Sequence, residues 1–294
     1  MIKDYRIHEV SGYINWVYFF HAWDFQPRYA SIADIHGCDA CRALWLARFP
    51  ENERSKAAEA MQLFKEANRM LQKFDEEGYR TYALFRLMEA NSKENDLWLE
   101  GTRFPLLRQQ SIREGEFYLC LADFVRPLSQ GIKDHVGIFA TTIDASLETL
   151  YPEDAYRRML AQTLADRLAE ATAEYLHEQV RKNIWGYAPD EDLTLKQIHL
   201  EKFQGIRPAV GYPSLPDQSV NFLLDQLLDL KQIGIKLTEY GMMIPHASVS
   251  GLMLAHPESK YFSVGKIDDE QLNDYAIRRG IPITEMRKYL ISNL

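Results

Sequence analysis

A short loop rich in proline and glycine is the part of this sequence most suited to holding a small ligand. Residues 205–218 read GIRPAVGYPSLPDQ, which places Arg207, Gly211 and Tyr212 among three prolines. Arginine offers a planar fork of donors that suits a carboxylate, and glycine lets the backbone approach a ligand closely. The prolines stiffen the segment, so the loop loses little conformational freedom when a ligand binds. The loop therefore predicts a pocket for a ligand that carries a carboxylate.

Aromatic side chains extend this candidate site. Tyr212 in the loop, and Tyr261 and Phe262 further along the chain, offer faces for a flat ring or a cation. An amino acid joined to a nucleoside through a cationic centre would use all of these groups. The alternative is that Arg207 pairs with a nearby acid such as Glu201 and that the tyrosines belong to the core.

A second group of reactive side chains, His36, Cys38 and Cys41, offers three ligands for zinc or a redox pair. A structural zinc site needs four ligands, and no second Cys or His pair stands at a matching spacing. The preferred interpretation is therefore an exposed loop with ordinary thiols and no metal, with a metal or redox protein as the alternative. An odd total of three cysteines also fits a reducing compartment.

Charge and composition exclude several classes of function. Lys and Arg total 34 against 42 Asp and Glu, a net charge of −8, so a basic surface for nucleic acid or anionic lipid is not expected. The charged N-terminus does not resemble a secretory leader, and no run of eighteen apolar residues occurs. The signatures of nucleotide-binding loops, zinc proteases and serine hydrolases are also missing. We expect a cytoplasmic protein whose partners are small molecules or proteins.

The elements that must position these residues form a mixed α and β pattern. Apolar spacing predicts helices at 8–22, 53–77, 152–185 and 219–233, with two short helices near the C-terminus. Strands are predicted at 79–88, 96–100, 117–125 and 135–143, and as a hairpin of 247–255 with 260–267. The short loops favour antiparallel pairing, and no linker divides the chain. The prediction is a single α+β domain over residues 1–294, with a mainly antiparallel twisted sheet flanked by long helices.

Longer stretches of the sequence resemble one known family, the activation domain of cobalamin-dependent methionine synthase. RPAVGY matches that family's Arg-x-x-x-Gly-Tyr element. Further segments that resemble the domain, in the family's order, are YINWVYFFHAW (13–23), LADRLAEATAEYLHEQVRKNIWGYAPDE (164–191) and ASVSGLMLAHPESKYFSVGKI (247–267). Nearly the whole chain is covered by the resemblance.

The resemblance implies a domain that binds S-adenosylmethionine and docks over a cobalamin-binding domain, in cis or in trans. One electron from flavodoxin or an equivalent reductase, together with the sulfonium methyl group, then converts cob(II)alamin to methylcobalamin. Cobalt itself is the nucleophile, which explains why no nucleophilic side chain or acid–base pair stands out in the sequence. The alternative is a diverged S-adenosylmethionine-binding module that serves another corrinoid methyltransferase or acts as a sensor.

Site residues follow from the same resemblance. Arg207 would hold the methionine carboxylate, and the backbone around Ala209 and Gly211 would meet the adenosyl group. The other positions that match the ligand site are Tyr212, Tyr261, Phe262, Glu201 and Asn15. Asp166 and Glu170, one helical turn apart, match positions that face the docked cobalamin domain, with a merely solvated helix surface as the alternative.

Two features depart from the family pattern. Asn15 stands where the family has an aspartate, and losing that charge would lower ligand affinity by about 1–3 kcal/mol. Residues 37–57 have no clear counterpart. The homocysteine, folate and cobalamin modules of the long family proteins are not in this sequence, so we expect an excised domain or a stand-alone subunit that cannot make methionine alone.

Overall fold

The central element of the fold is an antiparallel sheet of six strands. The structure is a computed structural model that describes residues 1–112 and 115–294. The strands lie in the order β4–β3–β2–β5–β8, and β1 pairs with β2. Their bounds are β1 Ile2–Arg6, β2 Arg80–Lys93, β3 Asp96–Leu99, β4 Thr102–Pro105, β5 Asp134–Ile143 and β8 Ser248–Met253, while β6 Lys236–Leu237 and β7 Met243–Ile244 form a separate small pair.

Helices cover both faces of this sheet. Their bounds are α1 Ile7–Val10, α2 Trp16–Ala22, α3 Asp39–Ala47, α4 Arg54–Glu76, α5 Ala155–Gln179, α6 Leu195–His199, α7 Val220–Leu228, α8 Asp269–Arg279 and α9 Ile283–Tyr289. The predicted single-domain α+β fold with antiparallel pairing is confirmed. None of the helices formed by the described residues is both long and apolar enough to cross a membrane.

Side chains that point alternately to the two faces of the sheet form two separate apolar layers. Phe85 pairs with Phe139 in the ladder between β2 and β5, and both side chains join the core formed with α4 and α5. Leu84 and Ile138 point to the opposite face and join the core that contains α7. Successive strand residues face opposite sides, so one β2–β5 ladder supplies both layers.

Helix α5 is the element that later positions the candidate site. Asp154 caps it by accepting a hydrogen bond from the Arg157 backbone N–H at 2.9 Å, and the helix ends in a π-turn at Val180–Ile184. Leu160, Leu164 and Leu168, spaced four residues apart, form a stripe along this helix that is fully buried. Burial of this stripe fixes the rotation of the helix, so its other side chains have defined directions.

The predicted helix over 8–22 is wrong as a single element. Here α1 is followed by a 3-10 turn at Ser11–Tyr13, and α2 starts only at Trp16. Asn15 has an extended backbone, and its side chain accepts a hydrogen bond from the Val17 N–H at 3.1 Å. A local side-chain cap therefore interrupts a continuous apolar pattern.

Two predicted strands are also wrong. Within 117–125 the chain forms a 3-10 turn at Leu121–Phe124, because the Asp123 carboxylate accepts a hydrogen bond from the Cys120 N–H at 2.8 Å. Residues 260–267 do not form a strand beside β8. The edge of β8 is bonded instead to the proline-rich loop, through Leu252 N to Pro208 O at 3.0 Å and Val210 N to Ser250 O at 2.9 Å.

Two other boundaries differ from the predictions. Residues 90–95, predicted as a connection, continue β2 as far as Lys93 before a tight turn. The helix predicted over 219–233 ends at Leu228, because Asp229 takes a left-handed conformation with φ of 55°, and a 3-10 turn follows at Leu230–Ile233.

Gly251 allows the loop to lie directly on β8. A Cβ atom at this position would be 2.2 Å from the Pro208 carbonyl oxygen and 2.9 Å from the Ala209 Cα. Both neighbours are backbone atoms, so the loop itself would have to move away.

We expect Gly251→Ala to lower the free energy of unfolding by about 1–3 kcal/mol, because overpacking forces a backbone shift. Urea denaturation measures the change. Gly12→Ala is the matched control, since a Cβ there meets nothing within 4 Å. Equal stability of the two variants would show that the loop does not depend on this contact.

Candidate functional site

A cavity of about 480 Å³ opens between the loop after α6, helix α5 and the segment between α1 and α2. This volume is typical of sites that hold small molecules or cofactors. We call its charged side chains, Arg167, Glu170, Glu174, Glu201 and Arg207, the charged wall, and we call Tyr212, Tyr261 and Phe262 the aromatic wall. The lining residues are Tyr13, Asn15, Tyr18, Arg167, Glu170, Ala171, Glu174, Ile198, His199, Glu201, Arg207, Pro208, Ala209, Tyr212, Pro213, Ser214, Tyr261 and Phe262.

Arg207 is the buried cation of the cavity. Its side chain is 11% exposed, and its Nη2 atom lies 3.2 Å from Glu174 Oε2, while Nη1 lies 3.9 Å from Glu170 Oε2. Glu201, the alternative partner named from the sequence, is in neither ion pair. The two carboxylates that contact Arg207 come instead from successive turns of α5. Burial opposes the charged guanidinium, but the carboxylates of Glu174 and Glu170 outweigh this effect, so the pKa of Arg207 is raised.

Part of this charged group has no partner in the protein. Arg207 Nε and Glu174 Oε1 are buried and make no hydrogen bond with any residue that the structure describes. Unpaired buried polar atoms are costly, so their presence in two cavity-lining side chains points to a ligand that completes them.

The tyrosines of the aromatic wall are not core residues. Tyr212 is 50% exposed and Tyr261 is 36% exposed, so the alternative that they belong to the core is wrong. The Tyr212 hydroxyl donates to Glu170, and the Tyr261 hydroxyl accepts from the Arg207 backbone N–H at 2.8 Å. These bonds hold both rings at the cavity while leaving their faces available.

Carboxylates outnumber cations in the lining, since Glu170, Glu174 and Glu201 face Arg167 and Arg207. Burial, followed by the charge of Glu174, raises the pKa of Glu201. The cavity therefore has room for one more positive charge as well as for a carboxylate at Arg207.

Not every residue predicted for the ligand site lines the cavity. Asn15, Glu201, Arg207, Ala209, Tyr212, Tyr261 and Phe262 do, but Gly211 lies outside the lining among the described residues. Gly211 instead has φ of +85° and donates to Leu215 O at 2.8 Å, so glycine is needed to turn the loop.

The docking pair predicted on α5 is divided between two environments. Glu170 lines the cavity and bonds to Tyr212 and Arg207, whereas Asp166 is exposed one turn earlier on the helix and lies outside the lining of the described residues. Only Asp166 keeps the free surface position that both residues were expected to have.

Several lining residues were not predicted from the sequence. Glu174 stands one turn after Glu170 on the same face of α5, so helical spacing could have identified it. His199, whose Nε2 lies 3.1 Å from Tyr13 O, and Tyr18 come from distant segments that only the fold brings together.

His36, Cys38 and Cys41 lie at the start of α3, apart from the cavity lining found among the described residues. One possible ligand atom from each lies within 4.8 Å of the other two. Ordinary thiols were expected from the sequence, which did not indicate that the three side chains lie this close together.

Fold and cavity together define an α+β domain whose cavity holds a buried arginine beside two carboxylates and several aromatic rings. The chain belongs to the family described as vitamin B12 dependent methionine synthase, activation domain, whose model matches residues 6–280. It is also similar to the crystal structure of the MetH reactivation domain bound to AdoHcy, with 37% identity and a TM-score of 0.87 over 100% of this chain and 90% of that one. The resemblance and the fold class predicted from the sequence are therefore confirmed.

Proposed function

We propose that this protein binds S-adenosylmethionine in the cavity and supports reductive methylation of cob(II)alamin to methylcobalamin on a cobalamin-dependent methionine synthase. The observation that carries the proposal is the incompletely bonded pair of Arg207 and Glu174 inside an aromatic-lined cavity. The similar MetH reactivation domain is bound to AdoHcy, which has the amino-acid and adenosyl parts of the proposed ligand.

The charged wall fits the amino-acid end of the ligand. Arg207, which lines the cavity, would receive the carboxylate, and the α5 carboxylates would receive the ammonium group. Glu170 and Glu174 already hold the guanidinium in place, so binding requires little reorganisation of this side chain.

The aromatic wall fits the adenosyl end. Ala209 places backbone beside the cavity, and Tyr212, Tyr261 and Phe262 provide aromatic faces for a purine or for the sulfonium cation. Gly211 contributes indirectly, because its positive φ shapes the turn that carries Ala209 and Tyr212.

The protein's part in the reaction is to position and shield the ligand. A docked cobalamin domain would supply the cobalt nucleophile for the methyl group, and flavodoxin or an equivalent reductase would supply the electron. Residues of this chain would hold both ends of the ligand and so restrict the motion of the sulfonium methyl group. Exposed Asp166, on the helix that lines the cavity, is proposed to contact that partner.

Arg207→Ala should bind S-adenosylmethionine at least roughly thirtyfold more weakly than the wild type, because losing one partner of a buried charged pair costs about 2–5 kcal/mol. Isothermal titration calorimetry measures this difference. Arg207→Lys is the matched control for charge, and we expect it to recover only part of the affinity, since lysine lacks the planar fork. Thermal unfolding identifies variants that fail to fold, and wild-type affinity in folded Arg207→Ala would disprove the assigned pocket.

Asn15→Asp should bind S-adenosylmethionine more tightly, by about 1–3 kcal/mol, because a carboxylate replaces an amide beside a cationic ligand. Aspartate can also cap α2, so the local fold should be retained. Calorimetry at low and high salt checks the electrostatic origin of the gain. An unchanged affinity would show that position 15 does not meet the ligand's charge.

Asp166→Lys should slow cobalamin reactivation on the partner protein without changing S-adenosylmethionine affinity, because a reversed charge opposes docking at a complementary surface. The return of methylcobalamin absorbance measures reactivation. Glu76→Lys places the same charge change on an exposed position of α4 and serves as control. Equal rates for the two variants would exclude Asp166 from the docking surface.

A further inference from the structure

The group formed by His36, Cys38 and Cys41 is not used by the proposed function. Cys38 is the N-cap of α3, Cys41 lies in its first turn, and His36 lies two residues before the N-cap. One imidazole nitrogen and two sulfur atoms lie within 4.8 Å of one another. Two thiols and an imidazole in this arrangement form a compact set of soft ligands.

The spacing of these atoms is close to that of a tetrahedral metal site. Zinc bonds of about 2.3 Å to sulfur and about 2.0 Å to nitrogen place the ligand atoms roughly 3.5–3.8 Å apart. Side-chain rotations that move the atoms by about 1 Å would therefore close the site around an ion, with no change in the backbone of α3.

The backbone at this position also suits a bound thiolate. The Cys41 N–H donates to Cys38 Sγ at 3.3 Å, which is a contact that orients a metal-binding sulfur from outside the coordination shell. The first turn of a helix also favours negative charge, so it stabilises the deprotonated form that binds metals.

The helix that carries the two cysteines is firmly attached to the domain. Trp45 of α3 is fully buried, and its indole N–H donates to Ser31 Oγ at 3.0 Å. Phe49 packs edge-on against the same ring, with the ring centroids 4.7 Å apart. The two sulfur ligands therefore rest on a fixed helix, and His36 lies two residues before its N-cap.

We propose that His36, Cys38 and Cys41 form a binding site for a thiophilic metal ion, with Zn²⁺ as the expected ion. The sequence analysis preferred ordinary thiols because a structural zinc site needs four protein ligands. An open site needs only three, with water in the fourth position, and two cysteines with one histidine make a known set of this kind. The exposed position of the cluster leaves room for that water.

Titration of the fully reduced protein with Co²⁺, followed by Zn²⁺, tests the proposal. We expect one Co²⁺ per chain, a sulfur-to-cobalt charge-transfer band and the visible bands of a tetrahedral ion, all of which Zn²⁺ displaces. In parallel, bound Zn²⁺ should protect Cys38 and Cys41 from alkylation, as read by peptide mass mapping.

Substitution of the ligands separates this site from adventitious binding. Cys38→Ser and Cys41→Ser should each weaken Zn²⁺ binding by more than about 100-fold, since even groups behind the ligands contribute about 10- to 100-fold. His36→Ala should weaken it strongly, whereas His135→Ala, at another exposed histidine, should not. The proposal is overturned if reduced protein gives no charge-transfer band, or if Cys38→Ser binds Zn²⁺ as tightly as the wild type.

The result does not depend on the proposed S-adenosylmethionine site. The two sites share no lining or ligand residue among those described, so the cysteine variants should keep wild-type S-adenosylmethionine affinity and melting temperature. Loss of both properties in Cys38→Ser and Cys41→Ser would identify a structural defect and overturn the assignment of a separate metal site.

Discussion

The candidate site depends on one contact, in which the loop after α6 is bonded along the free edge of β8. Ile206 exchanges backbone hydrogen bonds with Leu254, and Pro208 accepts one from Leu252. Because Gly251 has no side chain, the two backbones approach closely enough for these bonds to form. The loop is thereby fixed to the central sheet, and Arg207, between the bonded positions, has a defined location.

Fixing the loop creates an electrostatic requirement that α5 meets. A guanidinium that is only 11% exposed needs nearby negative charge, and Glu170 and Glu174 supply it from two successive helical turns. The same carboxylates also form the charged wall of the cavity. One group of side chains thus stabilises the buried cation and prepares a surface for a ligand that carries both a carboxylate and a positive charge.

This arrangement supports the proposed role, in which the protein positions a reactant for chemistry on a partner's cofactor. The cavity brings charged groups and aromatic faces together, and Asp166, near the middle of the same helix, is exposed one turn before Glu170. The cluster of His36, Cys38 and Cys41 is a separate feature, because it shares no described residue with the lining of the cavity.

Much of the fold and part of the site could be predicted from the sequence, because local patterns determine them. The bounds of α4 and most of α5 follow from helical spacing, and the loop of Arg207 and Tyr212 follows from its proline and glycine content. The confirmed family resemblance added Asn15, which lines the cavity although it comes from a distant segment. Residue spacing could not have related this position to the loop.

Other features were decided only by tertiary contacts. Residues 260–267 have a strand-like composition, but the edge they would pair with is already bonded to the loop at Pro208. Likewise, Arg207 pairs with Glu174, 33 residues earlier in the chain, and not with the nearby Glu201. The sequence by itself determined the long helices α4 and α5 and the stiff loop of Arg207, because those depend mainly on neighbouring residues. Only the folded structure determined which edge was free and which charges met, because both depend on how distant elements compete for the same space.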